Sequence, residues 1–245
     1  VINPVLSLAA VGQVGEGFVH ERSSGNRPCQ DTQSLFCFNW AKDNIGRYET
    51  PAIQHLELVA ISVLVGFAIA FALAVLAHRH RWLQPPLLAG TGVLYTIPSV
   101  AFFFLLLPIT GRGREMAIVA LSAYTLQIIY RNTMTGLSNV PASVKDAGRG
   151  MGLTARQLFW RVELPLATPE IIAGLRIATV STVALATLAV FAGAGGLGDP
   201  IYRFLDFKTN IIIAGGIAIL MAIAFDAILL GVQHLTTPWR RVAES

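Results

Sequence analysis

Charge is scarce in this sequence. Asp, Glu, Lys and Arg make up 13% of its 245 residues, about half of the roughly 25% carried by soluble domains. With 54% hydrophobic residues and a mean hydropathy of +0.60, the chain reads as one integral membrane domain with short loops. Cysteine is nearly absent, only Cys29 and Cys37 being present, and no His or Cys pairs stand at zinc-like offsets, which argues against a metal site. A disulfide between the two is one reading if they face an oxidising compartment, and two thiols is the other. No Gly-x-x-x-x-Gly-Lys-Ser/Thr occurs, so this chain has no phosphate-cradling loop for ATP. Tracts that mix basic and aromatic residues are missing as well. The net charge of +4 therefore implies no nucleic acid, because basic residues collect on the cytoplasmic side of membrane proteins. The apolar runs hold no paired carboxylates, His–Cys pair or metal set, which argues against a membrane enzyme.

What is present is a series of long apolar runs. Crossing a bilayer takes about 20 residues, and residues 58–77 hold no charge before His78-Arg79-His80-Arg81. Further spans are expected at 87–109, with Pro98 in the middle, at 116–131, at 171–192 and at 211–233. The expected fold is all-α with five membrane helices, or six if residues 1–20 hold another. Residues 1–57 read as an extracytoplasmic tail. Within it the patch Val5–Val14 is too short to span and lacks the basic flank of a signal peptide, and Ser23–Thr32 reads as a polar loop. Leu35, Phe36, Phe38, Trp40 and Ile45 make an aromatic stretch suited to a helix in the membrane interface. With five spans, Arg79, Arg81, Arg131, Lys145, Arg149, Arg156, Arg161, Arg176, Arg240 and Arg241 fall on one side. Arg112, Arg114, Arg203 and Lys208 fall on the other. The positive-inside rule makes the first side, with the 132–170 loop and the C-terminus, cytoplasmic.

That loop holds the most informative stretch, Asp146-Ala147-Gly148-Arg149-Gly150-Met151-Gly152-Leu153-Thr154-Ala155-Arg156-Gln157, running on to Val162-Glu163-Leu164-Pro165. The spacing predicts helix, bend, short helix and a stop at Pro165, with Gly148, Gly150 and Gly152 favouring the bend. The stretch resembles the EAA signature of permease subunits of ABC importers: Glu-Ala-Ala, three residues, Gly, nine residues, Ile, any residue, Leu-Pro. The register holds here, with Asp146 for Glu, Gly148 for the second Ala and Val162 for Ile.

Most of the chain after residue 40 is similar to the permease of an osmoprotectant importer, the subfamily handling glycine betaine, choline, carnitine or related quaternary amines. The similarity rests also on Tyr95-Thr96-Ile97-Pro98-Ser99, on Arg131-Asn132-Thr133 and on Arg161 to Ala167. It continues through Gly193-Ala194-Gly195-Gly196-Leu197-Gly198 and Leu235-Thr236-Thr237-Pro238-Trp239. The resemblance implies a type I ABC importer permease fold over residues 58–245, in the cell membrane. Its implied partners are two ATP-binding cassette subunits, a second permease copy or related permease, and an extracytoplasmic substrate-binding protein. ATP and Mg would sit on the ATPase subunits and no cofactor on this chain. A helix from Gly150 to Gln157 would dock into the ATPase, with Arg149 and Arg156 pairing with acidic residues there. Asp146, Ala147, Met151, Gly152, Leu153 and Thr154 complete that coupling set.

Pathway or gate candidates are Thr96, Pro98 and Ser99, where proline removes a backbone donor in mid-span, and Thr182, Gly195, Gly196 and Leu197. Ala178, Thr182 and Ala186 recur at every fourth position, a row suited first to close helix packing and second to pore lining. The stretch from Gly193 to Asp199 reads as a re-entrant outer loop, with a plain turn as the alternative. If the cargo is a quaternary amine, Tyr95, Phe102 or Phe103 would offer cation–π contact. Asp226 is the one carboxylate well inside a span and must find a partner. Hydroxyls of the fourth span or the inner rim are the expected answer, and proton coupling in a secondary transporter is the rival. Glu170 and Arg176 are expected to be interfacial. Within the importer reading the alternative cargo is an amino acid such as methionine.

Overall fold

The computed structural model describes residues 35–238, so the readings of residues 1–34, Cys29 included, and of Trp239-Arg240-Arg241 lie outside the described residues. Among the described residues the chain is all-helical. In order come α1 (Phe38–Asn44), a 3₁₀ turn (Ile45–Tyr48), α2 (Glu49–Arg79), a 3₁₀ turn (Arg81–Leu83), α3 (Gln84–Thr96) and α4 (Ser99–Thr110). Then follow α5 (Arg114–Ser138), α6 (Ala142–Gly150), α7 (Ala155–Leu158) and a π-helical turn (Phe159–Glu163). The chain continues with α8 (Leu164–Ala186), a 3₁₀ turn (Thr187–Ala192), α9 (Gly198–Arg203) and α10 (Lys208–Thr236).

Three helical stretches, Phe38–Arg79, Ala155–Ala192 and Lys208–Thr236, are long and apolar enough to cross a membrane. A fourth span results if the bent pair Arg81–Thr96 and Ser99–Thr110 counts as one. The helix α5 is long enough at 25 residues, about 37 Å at 1.5 Å per residue, but is more polar than these three. Its position explains its composition. It lies at the centre, packed against α2, α3, α4 and α8, so much of its polar surface faces neighbouring helices and not lipid. The Ser122 hydroxyl donates to the Ser62 carbonyl of α2 at 3.1 Å, and the Thr125 hydroxyl donates back to the Ser122 carbonyl of its own helix at 2.7 Å. Gln127 accepts from the Thr91 hydroxyl on α3. At the α2–α5 crossing Gly66 permits the close approach, since a Cβ there would stand 1.7 Å from Thr125 Oγ1. The other end of α5 runs beyond the expected limit at residue 131, because Asn132 and Gly136 are covered by Gly174, Ala167 and Glu170 of α8.

The break expected at Pro98 within the run 87–109 is present: α3 and α4 meet at Ile97–Pro98 at an angle of 101°. The expectation for Pro165 is corrected, since it does not stop a helix. It stands directly after the π-helical turn, at the start of α8, and the helical path runs on from Ala155 to Ala192. The fourth apolar helix therefore begins at Leu164, seven residues before the expected 171. The stretch 193–210, expected to be a loop, contains α9.

The aromatic helix α1 does more than display apolar side chains. Phe38 and Ile45 are exposed, but Ala41 and Tyr48 are buried against Ile213 and Ala214 of α10. The Trp40 ring meets Phe207 edge-on at 4.7 Å, and Thr209 Oγ1 accepts from the Cys37 N–H at 3.0 Å. Cys37 is buried and disulfide-bonded.

Candidate functional site

The signature segment stands out from the helical body as a compact knob. Gly148, facing Leu158 and Leu153, is the buried residue of α6. Gly152 turns the chain with φ +80°, a left-handed conformation that glycine adopts without penalty. Thr154 then starts α7: its hydroxyl accepts from the Gln157 N–H at 3.3 Å while Gln157 Oε1 accepts from the Thr154 N–H at 2.9 Å. This reciprocal cap satisfies two amides of the first turn. The Thr-x-x-Gln spacing was there in the sequence to be read as such a cap.

The expected helix, bend and short helix are all present, and the docking helix placed around Gly150 to Gln157 is confined to residues from Ala155 onward. Gly150 closes α6 along with Gly148, Gly152 makes the turn, and α7 begins at Ala155. Asp146, Ala147, Arg149, Gly150, Met151, Gly152, Thr154 and Arg156 are exposed and Leu153 is half-buried. Arg149 pairs within its own helix with Asp146 at 3.0 Å. An exposed pair of this kind is worth about 0.3–0.5 kcal/mol, so it exchanges readily for another partner. Met151, 75% exposed, and Val144 put apolar surface among these charges.

Beyond α7 the π-helical turn carries one buried side chain, Glu163. Its carboxylate lies 2.5 Å from His78 Nε2, in the last turn of α2, and the His78 ring sits beside Phe159 with centroids 5.7 Å apart.

The Pro98 break is held by a residue the sequence did not single out. Tyr124 of α5 donates its hydroxyl hydrogen to the Ile97 carbonyl, which the bend leaves without a helical partner, and Thr96 donates to Val93 O at 2.8 Å. Thr96 and Pro98 are exposed and Ser99 half-buried. Of the three aromatics considered for a cationic cargo, Phe102 and Phe103 are buried in the core with Leu58 and Met116 and offer no free face. Tyr95 is exposed and packs edge-on against Tyr124.

Gly195, Gly196 and Leu197 come together with Gln54 and His55 of α2. The Gly196 N–H donates to Gln54 Oε1 at 3.1 Å and the Leu197 N–H to His55 Nδ1 at 3.4 Å. Since Nδ1 accepts, the ring hydrogen is on Nε2 and donates to the Val183 carbonyl at 3.1 Å. His55 thereby ties α2, the glycine turn and α8 together. Leu197, fully buried, plugs into Val59, Val63, Leu121, Val183 and Ala186. Ala178, Thr182 and Ala186 are buried too, and the Thr182 hydroxyl donates to its own helix at Ala178 O.

Of the two expected settings for Asp226, bonding to the fourth-span hydroxyls is not found. The hydroxyls of α8 bond to their own backbone, and Arg176, expected at the interface, donates from Nε and Nη2 to the two Asp226 oxygens at 2.9 and 2.8 Å. Among the described residues no group of three or more His, Cys, Asp or Glu side chains is placed to hold a metal ion. Two shallow grooves stand out. One, of about 480 Å³, is lined by Tyr202, Arg203, Phe204 and Leu205. The other, of about 410 Å³, is lined by Phe71, Ala72, Val75, Leu76, Arg79 and Trp160.

Comparison with known proteins places this geometry. Residues 57–241 match the family model described as the binding-protein-dependent transport system inner membrane component. The osmoprotectant import permease protein OsmW of Salmonella typhimurium is 38% identical over 203 residues, 80% of this chain and 94% of that protein. The glycine betaine/carnitine/choline transport system permease protein OpuCB of Bacillus subtilis is 35% identical over 76% of this chain and 86% of its own length. Among solved structures, the inward-facing MetNI methionine ABC transporter aligns with a TM-score of 0.64 at 23% identity, covering 76% of this chain and 95% of that one.

Proposed function

Since the chain belongs to the family of inner membrane components of binding-protein-dependent transport systems and is the permease of an ABC importer, we propose that it forms the translocation pathway for an osmoprotectant of the quaternary-amine class. Glycine betaine, choline and carnitine are the candidates. The observation that carries the cargo is the 35–38% identity, over at least three quarters of the chain, to permeases named for these solutes. The solved methionine transporter, at 23% identity, supports the fold alone. The relatives are permease subunits, so ATP hydrolysis lies in partner subunits.

In this reading the exposed knob of Asp146, Ala147, Arg149, Gly150, Met151, Gly152, Leu153, Thr154 and Arg156 faces the cytoplasm and seats in an ATP-binding subunit. Two such subunits, a second permease and an extracytoplasmic binding protein complete the transporter. ATP binding draws the nucleotide subunits together, the knob moves with them, and α8, continuous with it, passes the motion into the membrane. The bend at Thr96, Pro98 and Ser99 and the turn at Gly195, Gly196 and Leu197 lie along the pathway and at its outer end. Pairing with Arg176 argues against Asp226 as a proton relay.

The test is uptake by proteoliposomes containing this chain, its ATP-binding subunits and its binding protein. ATP-dependent import of glycine betaine, choline or carnitine, and not of methionine, is expected. Import of methionine alone overturns the cargo, and import without any ATPase overturns the mechanism.

A further inference from the structure

The signature knob is joined to the membrane helices along the chain at both ends, to α5 through residues 139–141 and to α8 by the continuous helical path. There is also a side contact: Glu163, 6% exposed, against His78 at the end of α2, 85 residues away in sequence. A buried carboxylate is stable only with a hydrogen-bonding partner, and His78 Nε2 at 2.5 Å is that partner.

The surroundings of this contact are those of a hinge. Glu163 sits in a π-helical turn whose closing bond runs from the Leu164 N–H to Phe159 O. Such turns interrupt the α-helical register and are common where a helix must adjust. On the other side α2 stops at His80, with φ −124° and ψ 86°, and the chain enters the 3₁₀ turn to α3, the helix that ends at the Pro98 bend. Gln84 donates to Ala77 O at 3.3 Å and accepts from Tyr130 at its own carbonyl, tying this hinge to the central helix α5.

We propose that the His78–Glu163 contact is the positioning link through which displacement of the signature knob is delivered to α2 and its hinge with α3. The helix α8 and the α2–α3 hinge then move as one unit. This inference rests on the transport reading above. His78 and Glu163 are positioning residues, since neither needs to touch cargo or nucleotide.

The measurement is solute imported per ATP hydrolysed, in proteoliposomes of the whole transporter. His78→Ala and Glu163→Ala are each expected to lower that ratio about tenfold, the worth of one hydrogen bond to a charged group. The double substitution falls no further than either single one, and His78→Gln, which keeps a donor at the same reach, recovers at least half of the loss. A wild-type ratio in His78→Ala, or single losses that multiply in the double variant, overturns the proposal. A second measurement does not depend on the variants assembling. Spin labels at Trp82 and Trp160, both exposed, report the separation of the α2–α3 turn from the π-helical turn. A separation unchanged by ATP is expected, and one that changes overturns the link. Failure of the wild-type complex to import anything sinks the transport reading, whereas normal import with indifferent variants sinks this inference alone.

Discussion

Arg176 on α8 and Asp226 on α10 are joined by two parallel hydrogen bonds of 2.9 and 2.8 Å. The Arg176 Nη1 also donates to Gln233 Oε1 at 3.3 Å, and Gln233 in turn donates to the Pro169 carbonyl at 3.0 Å. The pair is the planar fork-on-carboxylate arrangement in which both ions find directional partners. It fastens α10, which is mostly exposed in the single chain, to α8.

Asp226→Ala is therefore expected to destabilise the purified permease by about 1.5–3 kcal/mol, the worth of hydrogen bonding between charged groups. The exchange Arg176→Asp with Asp226→Arg should recover much of the loss. Thermal unfolding in lipid nanodiscs checks this, and an exchange no better than Asp226→Ala would show that the pair is not what holds α10.

Gly66→Ala should separate α2 from α5. Its new methyl would meet Thr125 Oγ1 at 1.7 Å, with the Thr125 Cβ and the Ser122 carbonyl both at 3.0 Å. Overpacking of this kind costs about 1–3 kcal/mol. Adding Thr125→Ala removes the nearest atom, so the double variant should be the more stable one by thermal unfolding.

Gly152 offers the opposite case. It is exposed, nothing lies within 4 Å of the place a Cβ would take, and only its φ of +80° demands glycine. Gly152→Ala is expected to lower permease stability by about 1 kcal/mol while strongly reducing co-purification of the ATP-binding subunits. An unchanged yield of the complex would mean that the knob does not need this turn.

His55→Ala would orphan the Leu197 N–H and the Val183 carbonyl, each at a cost of about 1–3 kcal/mol. Greater proteolytic access between residues 193 and 198 is expected, together with a lower melting temperature. A protease pattern identical to wild type would show that Leu197 is held by its apolar socket alone.

Much of this was open to a reader of the sequence. The long uncharged runs, the Gly and Leu-Pro offsets of the signature and the break near Gly152 are local patterns, and each corresponds to a local feature of the fold. Local signals misled where a residue type serves two purposes. Pro165 reads equally as the end or the first turn of a helix, and only the neighbouring chain settles which. The polar residues after Arg131 looked like the end of a span because composition does not reveal that α8 covers them.

Residue order settled which segments are helical, which of them are apolar and where the chain turns, because backbone propensity and hydropathy act over a few neighbouring positions. Partnerships across the fold could not be read that way. His78 with Glu163, Arg176 with Asp226, and Gln54 and His55 with the 196–197 turn lie 85, 50 and 142 residues apart. Most buried polar groups are paired, but which of the available partners each one meets depends on how the helices cross. That crossing is set by close contacts such as Gly66 against Thr125, which exist only once the helices have packed.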